Sequence, residues 1–93
     1  MIRSFADKAT ERLWRRMKVP SIDPRVQKVA LRKLTHIHAA RELDSLRVPP
    51  GNRLEALKGD RAGQHSIRVN DQWRICFTWT EGGAEDVELV DYH

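Results

Sequence analysis

Residues 65–79, HSIRVNDQWRICFTW, give the clearest indication of the fold. Polar and apolar residues alternate on both sides of Asn70-Asp71, a dipeptide typical of tight turns. A period of two predicts a pair of antiparallel strands joined by this turn. The large apolar side chains of the second strand are predicted to share one face: Trp73, Ile75, Phe77 and Trp79. Arg68 and Arg74 have the opposite parity and are predicted to lie on the other face.

Both flanks of the hairpin carry further signals. Downstream, Glu81-Gly82-Gly83 predicts another turn, and residues 87–91 are predicted to form the last strand. Upstream, residues 41–64 read as a long connection, since Pro49-Pro50-Gly51-Asn52 is incompatible with regular structure. A loop of this length in a small domain is either disordered or functional. Its basic residues favour function: Arg47, Arg53, Lys58 and Arg61.

Two helices are predicted before the loop. Asp23-Pro24 is an N-cap acceptor followed by proline at the first helical position, and predicts a helix over residues 24–40. A shorter helix is predicted over residues 6–18, after a possible capping box from Ser4 to Asp7. Residues 1–5 alternate and predict an edge strand. The fold class is therefore α+β, in the order β-α-α-β-β-β, with both helices on one face of a small antiparallel sheet in a single domain, residues 1–93.

The charge of the chain is unevenly distributed. Its 93 residues contain 17 Lys and Arg against 13 Asp and Glu, a net charge of +4. Residues 81–91 contain five acids and no base, so the first 80 residues hold 17 bases against 8 acids. A net charge of +9 suits a polyanionic partner, although it would also serve solubility alone. Arginine supplies 12 of the bases, which favours phosphate recognition.

The composition excludes several classes of protein. With one cysteine, Cys76, the chain cannot form an intramolecular disulfide or a cysteine-based zinc site, and a reducing cytoplasm is the expected setting. Cys76 alternates with large apolar residues and is interpreted as a packing residue. There is no long apolar run, so we expect no membrane association. No metal motif, phosphate loop or dinucleotide fingerprint is present, and we expect no cofactor.

Two groups of residues could form a site for phosphate chemistry. Arg68 and Arg74 on the bare sheet face, with Lys58 and Arg61 in the preceding loop, would make a phosphate clamp or simply a solvated face. The end of the chain adds a carboxylate, a phenol and an imidazole at Asp91-Tyr92-His93. Together these groups could cleave RNA without a metal, by deprotonating a 2′-hydroxyl, stabilising the phosphate and protonating the leaving oxygen. The residues alone leave both interpretations open.

The chain closely resembles the HigB toxins, a branch of the RelE/ParE superfamily. The resemblance is carried by LKGxRxGxxSIRVNxQWRIxF at residues 57–77, the opening MIRSF and the ending VDYH. It implies a RelE-like fold and a cytoplasmic, ribosome-dependent mRNA endonuclease that needs no metal. It also implies a HigA-like helix-turn-helix antitoxin as partner, with operator DNA bound only through that antitoxin.

The resemblance also implies roles for individual residues. Lys58, Arg61 and Arg74 fall on the residues that grip the scissile phosphate, and Asp91-Tyr92-His93 on a C-terminal trio tied to activity. Further RNA contacts are expected from the remaining arginines of this region: Arg47, Arg53 and Arg68. One departure is Glu55, where some HigB proteins have histidine. A glutamate there can act as a base or orient water, but it cannot act as an imidazolium.

Two other functions fit the same sequence. The first is a ParE-like protein that inhibits a topoisomerase without cutting RNA. The second is a non-catalytic basic module that binds RNA, in which Tyr92 and His93 would be dispensable while the Lys and Arg residues would not. Transcript ends after induction distinguish the first from a nuclease, because a topoisomerase inhibitor leaves mRNA uncut.

Overall fold

The computed structural model describes residues 1–92. Two helices, α1 (Lys8–Trp14) and α2 (Pro24–Ala39), precede four strands: β1 (Glu55–Ala56), β2 (His65–Arg68), β3 (Trp73–Thr80) and β4 (Gly83–Asp91). The strands form one antiparallel sheet in the order β1-β2-β3-β4. The predicted α+β class is therefore confirmed. In the part of the chain described, no helix is long and apolar enough to cross a membrane.

The hairpin of β2 and β3 forms as predicted. Arg68 pairs with Arg74 and Ile67 with Ile75, in antiparallel register. The side chain of Asn70 holds the turn, because its Oδ1 accepts hydrogen bonds from the backbone N–H groups of Gln72 and Trp73, both at 2.8 Å. An Asx turn of this kind explains why the dipeptide 70–71 predicts a turn.

The core lies between the helices and one face of the sheet. Residues from α2 and from the strands form a single buried apolar cluster, whose fully buried members include Ala30, Leu34, Ile37, Ile67, Ile75, Phe77 and Val87. Burying each large side chain contributes about 1.5–3 kcal/mol. The cluster leaves the opposite face of β2 and β3 without a helix against it, which is where Arg68 and Arg74 were predicted to lie.

The N-terminal strand is the main error in the predicted fold. Residues 1–5 form no strand. They contact β4 through two isolated parallel bridges, from Ile2 to Ala84 and from Phe5 to Val87. Between these bridges the Ser4 hydroxyl accepts a hydrogen bond from the backbone N–H of Asp86 at 2.9 Å. Ser4 therefore anchors this segment to the sheet and does not cap α1.

The helices begin where local capping places them. Asp7 caps α1, accepting from the backbone N–H of Thr10 at 3.0 Å. The helix ends at Trp14, four residues earlier than predicted, and Arg16 lies in the left-handed region with a φ of 60°. Asp23 caps α2 as predicted, accepting from the N–H of Arg25 at 2.8 Å.

The predicted loop over residues 41–64 is more ordered than its sequence suggested. It contains three short 3₁₀ turns (Leu43–Arg47, Pro50–Asn52 and Gly59–Arg61) as well as β1. The strand β1 has two residues, too few to produce an alternating pattern, and pairs with Ser66 and His65. The sheet thus has β1 as its first edge strand, in place of the predicted strand at residues 1–5. The last strand also starts earlier than residue 87, at Gly83.

Candidate active site

A row of four side chains crosses the sheet on the face away from the core. Glu55 pairs with Ser66, Ser66 with Cys76, and Cys76 with Glu88, one residue from each strand. Directly paired residues point to the same side of a sheet, so all four share one face. Ser66 and Cys76 are each 0% exposed. They form a small, neutral floor with a carboxylate at either end.

Arg74 lies over this floor in a fixed orientation. Its Nε donates to Ser66 Oγ at 2.8 Å, and its Nη2 donates to the carbonyl oxygens of Arg53 at 2.7 Å and of Ser66 at 3.4 Å. These acceptors are neutral, so they orient the guanidinium without cancelling its charge. An arginine held in this way is preorganised to stabilise an anion.

Arg61 is held beside Arg74 by different partners. Its Nη1 donates to Gln64 Oε1 at 3.0 Å and its Nη2 to Glu88 Oε1 at 3.2 Å. Both side chains of the Arg61–Glu88 ion pair are about two-thirds buried, being 33% and 29% exposed. Glu88 was not among the site residues predicted from the sequence. Alternation along β4 could have indicated Glu88. It lies two positions from Val90, the partner of Arg74, and therefore shares the face of Arg74.

Tyr92 reaches the same face from the end of β4. Its hydroxyl lies 3.7 Å from Cys76 Sγ, and its backbone N–H donates to Gln72 O at 2.6 Å. Burial raises the pKa of the Tyr92 phenol above its ordinary value, and the hydrogen bond with Cys76 raises it further. The phenol therefore keeps its proton at neutral pH and can donate it.

Cys76 is expected to be an unreactive thiol. Burial raises the pKa of this thiol, so little thiolate exists near neutral pH, and the sulfur has no exposed surface. At pH 8 we expect iodoacetamide to alkylate the folded chain at least about 100-fold more slowly than the chain in 6 M guanidinium, a ratio that mass spectrometry can measure. Equal rates in the two conditions would show that the floor is open to solvent.

Two further predicted residues border the site. Glu55 is exposed and lies at the β1 end of the row. Lys58 is exposed and precedes the turn that carries Arg61, with its carbonyl accepting from the Arg61 N–H at 3.3 Å. The structure thus brings Glu55, Arg61, Arg74 and Tyr92 to one face, with Lys58 at the start of the adjoining turn.

The structure does not bring Asp91 to this face. Asp91 pairs with Trp73, and therefore points to the side of the sheet that the core occupies. Its Oδ2 accepts from Gln72 Nε2 at 3.1 Å. The resemblance grouped Asp91 with Tyr92 in a C-terminal trio, but neighbours in a strand point to opposite faces of the sheet. His93, the last residue of the predicted trio, lies outside the described residues.

The arginines predicted to bind RNA have other contacts. Arg68 shares the face of Arg74 but pairs with Asp71 at the hairpin turn. Arg47 pairs with Asp44 at 3.2 Å on an exposed turn. Arg53 is exposed and contributes its backbone carbonyl, not its side chain, to the contacts of Arg74.

The chain that builds this fold and this site matches the model of a known protein family. A family model described as the RelE-like toxin of the type II toxin–antitoxin system HigB matches residues 3–93. The chain belongs to this HigB-like toxin family, and the resemblance inferred from the sequence is confirmed. A toxin of a type II system has a cognate antitoxin, which confirms the predicted partner at that level.

Several curated proteins are similar to the chain. Toxin HigB-1 of Vibrio cholerae is 40% identical over 90 residues, covering 96% of this chain and 95% of the relative. The Endoribonuclease HigB of Proteus vulgaris is 46% identical over 41 residues, or 44% of this chain and 45% of that protein. An uncharacterized protein of Haemophilus influenzae is 36% identical over 72 residues, or 77% and 68% of the two chains.

Proposed function

We propose that this toxin is an endoribonuclease that cuts mRNA on the ribosome. The observation that carries the proposal is the placement of two oriented arginines, Arg61 and Arg74, beside the protonated phenol of Tyr92 on one open sheet face. The name of the Proteus vulgaris relative, an endoribonuclease, supports the same activity. Dependence on the ribosome is consistent with the basic body of the chain, since ribosomal RNA is a polyanion.

The proposed reaction is an internal transfer at one phosphodiester. The RNA 2′-oxygen attacks phosphorus while its proton passes to a base, for which the carboxylate of Glu55 is available on this face. Arg61 and Arg74 stabilise the negative charge that develops on the phosphate oxygens, and Lys58 adds to the positive potential. Tyr92 protonates the 5′-oxygen as its bond to phosphorus breaks. The products are a 2′,3′-cyclic phosphate and a 5′-hydroxyl, and the route uses no metal or cofactor.

The proposed partners follow from this activity. The toxin acts in the cytoplasm on translating ribosomes and their mRNA. A HigA-like antitoxin with a helix-turn-helix neutralises it, and operator DNA is contacted only through that antitoxin. The positive face around Arg61 and Arg74 is suited to RNA, which is a polyanion.

Mapping of transcript ends after induction tests the proposed function. In cells that lack the antitoxin, we expect new 5′ ends inside translated reading frames within minutes, and growth arrest. A non-nucleolytic inhibitor of a topoisomerase would leave transcripts intact and would raise DNA damage instead. Intact transcripts in arrested cells would therefore contradict the proposal.

Replacing Tyr92 by phenylalanine is expected to slow RNA cleavage by about 100-fold. The ring is retained, but the proton that the phenol would give to the leaving oxygen is lost. Binding to ribosomes should change little, because the arginines remain. Single-turnover cleavage of ribosome-bound mRNA measures the rate, and co-sedimentation with ribosomes measures binding. A wild-type rate for Tyr92→Phe would remove Tyr92 from the mechanism.

A further inference from the structure

A charged side chain is buried beneath the loop that borders the site. Lys33 of α2 is 7% exposed, and its ammonium donates a hydrogen bond to Oδ1 of Asn52, which is 0% exposed. Burial lowers the pKa of this lysine, so the protein holds the charged form there at a cost. An apolar pair of similar size would be cheaper to bury. This cost suggests that the pair has a role beyond packing.

Asn52 connects the lysine to the backbone of the loop. Its Nδ2 donates to the carbonyl of Leu46 at 3.1 Å and, at 3.4 Å, to that of Val48. The backbone N–H of Asn52 donates to Pro49 O at 2.9 Å. One buried side chain therefore ties the first two of the three 3₁₀ turns of this loop to each other and, through Lys33, to helix α2.

The next residue carries these contacts to the site. Arg53 lies in the left-handed region, with φ 46° and ψ 56°, and its N–H donates to Pro50 O at 3.1 Å. Its carbonyl oxygen accepts the 2.7 Å hydrogen bond from Nη2 of Arg74. This carbonyl belongs to the residue that directly follows Asn52, so the buried pair and the guanidinium are linked by one residue of chain.

We propose that Lys33 and Asn52 are positioning residues for Arg74. They touch no reacting atom. They fix the carbonyl of Arg53, which in turn holds the guanidinium over Ser66 in the orientation that meets the phosphate. The effect of these residues on the cleavage rate rests on the proposed function. The positioning of Arg74 is a property of the folded chain alone. Through this chain of contacts the buried Lys33 of α2 affects the reaction indirectly, by orienting Arg74.

A double-mutant cycle tests the proposal. We expect Asn52→Ala to lower the cleavage rate at saturating substrate by about tenfold, with little change in the substrate concentration at half-maximal rate. In a chain that already carries Arg74→Ala, the same change should have almost no further effect, because its target is absent. An equal loss in both backgrounds would show that Asn52 acts through general stability and would overturn the proposal.

A matched control separates positioning from loss of stability. The buried Thr10 hydroxyl accepts a hydrogen bond from the Leu89 N–H at 2.9 Å, and among residues 1–92 no hydrogen bond joins Thr10 to the loop. Thr10→Ala should lower the melting temperature but leave the rate of cleavage unchanged below that temperature. If Asn52→Ala does not fold, Lys33→Met, which keeps the length of the side chain, replaces it in the same cycle and is expected to show the same dependence on Arg74.

A spectroscopic readout keeps this inference distinct from the proposed function. The ¹H–¹⁵N resonance of the Arg74 side-chain Nε, assigned by its absence in Arg74→Lys, should shift in Asn52→Ala and stay in place in Thr10→Ala. An unchanged resonance in Asn52→Ala would overturn the inference, whatever the activity. If the wild-type protein cuts no RNA while the resonance shifts, the proposed function fails and the positioning of Arg74 stands.

Discussion

Arg74→Ala is expected to lower the rate of RNA cleavage by about 10²–10³-fold, the usual effect of removing one preorganised donor at a developing charge. Arg74 is oriented by Ser66 and by the Arg53 carbonyl before substrate arrives, so its contribution costs no reorganisation during the reaction. Rapid-quench measurement with ribosome-bound mRNA gives the rate, and inducing the variant without antitoxin should give as many colonies as the uninduced control.

Arg74→Lys is the matched control for this substitution. Lysine keeps the positive charge, but its three donors lie on a single nitrogen and do not reproduce the planar fork that reaches Ser66 and the Arg53 carbonyl while facing a phosphate. We therefore expect the lysine variant to remain well below the wild-type rate, closer to alanine than to arginine. Recovery of full activity by lysine would show that charge alone matters, and would contradict the role of orientation.

Phe77→Ala is expected to lower the free energy of unfolding by about 3–5 kcal/mol. Phe77 is 0% exposed at the centre of β3, and its ring meets that of Trp79 edge-on, with centroids 6.4 Å apart. Small domains have a total stability of about 5–15 kcal/mol, so this loss removes a large share of it. Urea denaturation followed by circular dichroism measures the difference.

A neighbouring variant controls for the effect of strand propensity. Thr78 follows Phe77 in β3 and is half-buried, so Thr78→Ala should cost less than about 1 kcal/mol. If Phe77→Ala were no more destabilising than Thr78→Ala, the core would not lie on the face of the sheet that the helices cover. The site face would then have been assigned to the wrong side.

The parts of the fold that were predictable depend on local signals. Asn70 holds its turn by bonding its own neighbours, and Asp23 caps α2 in the same way, so both appear in the sequence as short motifs. The two bridges of residues 1–5 and the two-residue strand β1 depend on distant partners in β4 and β2. The strand β1 is too short to leave a periodic pattern, whereas the alternation of residues 1–5 produces only two isolated bridges, and the prediction therefore misplaced the edge strand.

Part of the site was also predictable from the sequence. The alternation along β3 correctly placed Arg74 away from Ile75 and Phe77. It could not show that Glu88 pairs with Arg61, because that contact joins residues 27 positions apart. The resemblance indicated residues 91–93 as a group, but successive residues of a strand point to opposite faces of the sheet. The pairing of Asp91 with Trp73 separates it from Tyr92.

The pairing of Arg61 with Glu88 also changes how the charge is interpreted. A basic body of +9 suggested a surface of free cations. Several of its arginines are already paired with nearby acids, through the contacts Arg15–Glu11, Arg25–Asp23, Arg47–Asp44, Arg61–Glu88 and Arg68–Asp71. The exposed pairs Arg15–Glu11, Arg25–Asp23 and Arg47–Asp44 contribute little to stability. The neutral partners of Arg74 set it apart, since its charge is oriented but left available for an anion.

The chemical nature of the cut ends distinguishes the proposed RNA cleavage from other routes. Purified toxin is mixed with ribosomes programmed with a labelled mRNA, and the fragments are analysed by mass spectrometry. The proposed mechanism predicts an upstream fragment ending in a 2′,3′-cyclic phosphate and a downstream fragment beginning with a 5′-hydroxyl, both formed far more slowly with Arg74→Ala. Intact mRNA with folded wild-type toxin, or downstream fragments that begin with a 5′-phosphate, would contradict it.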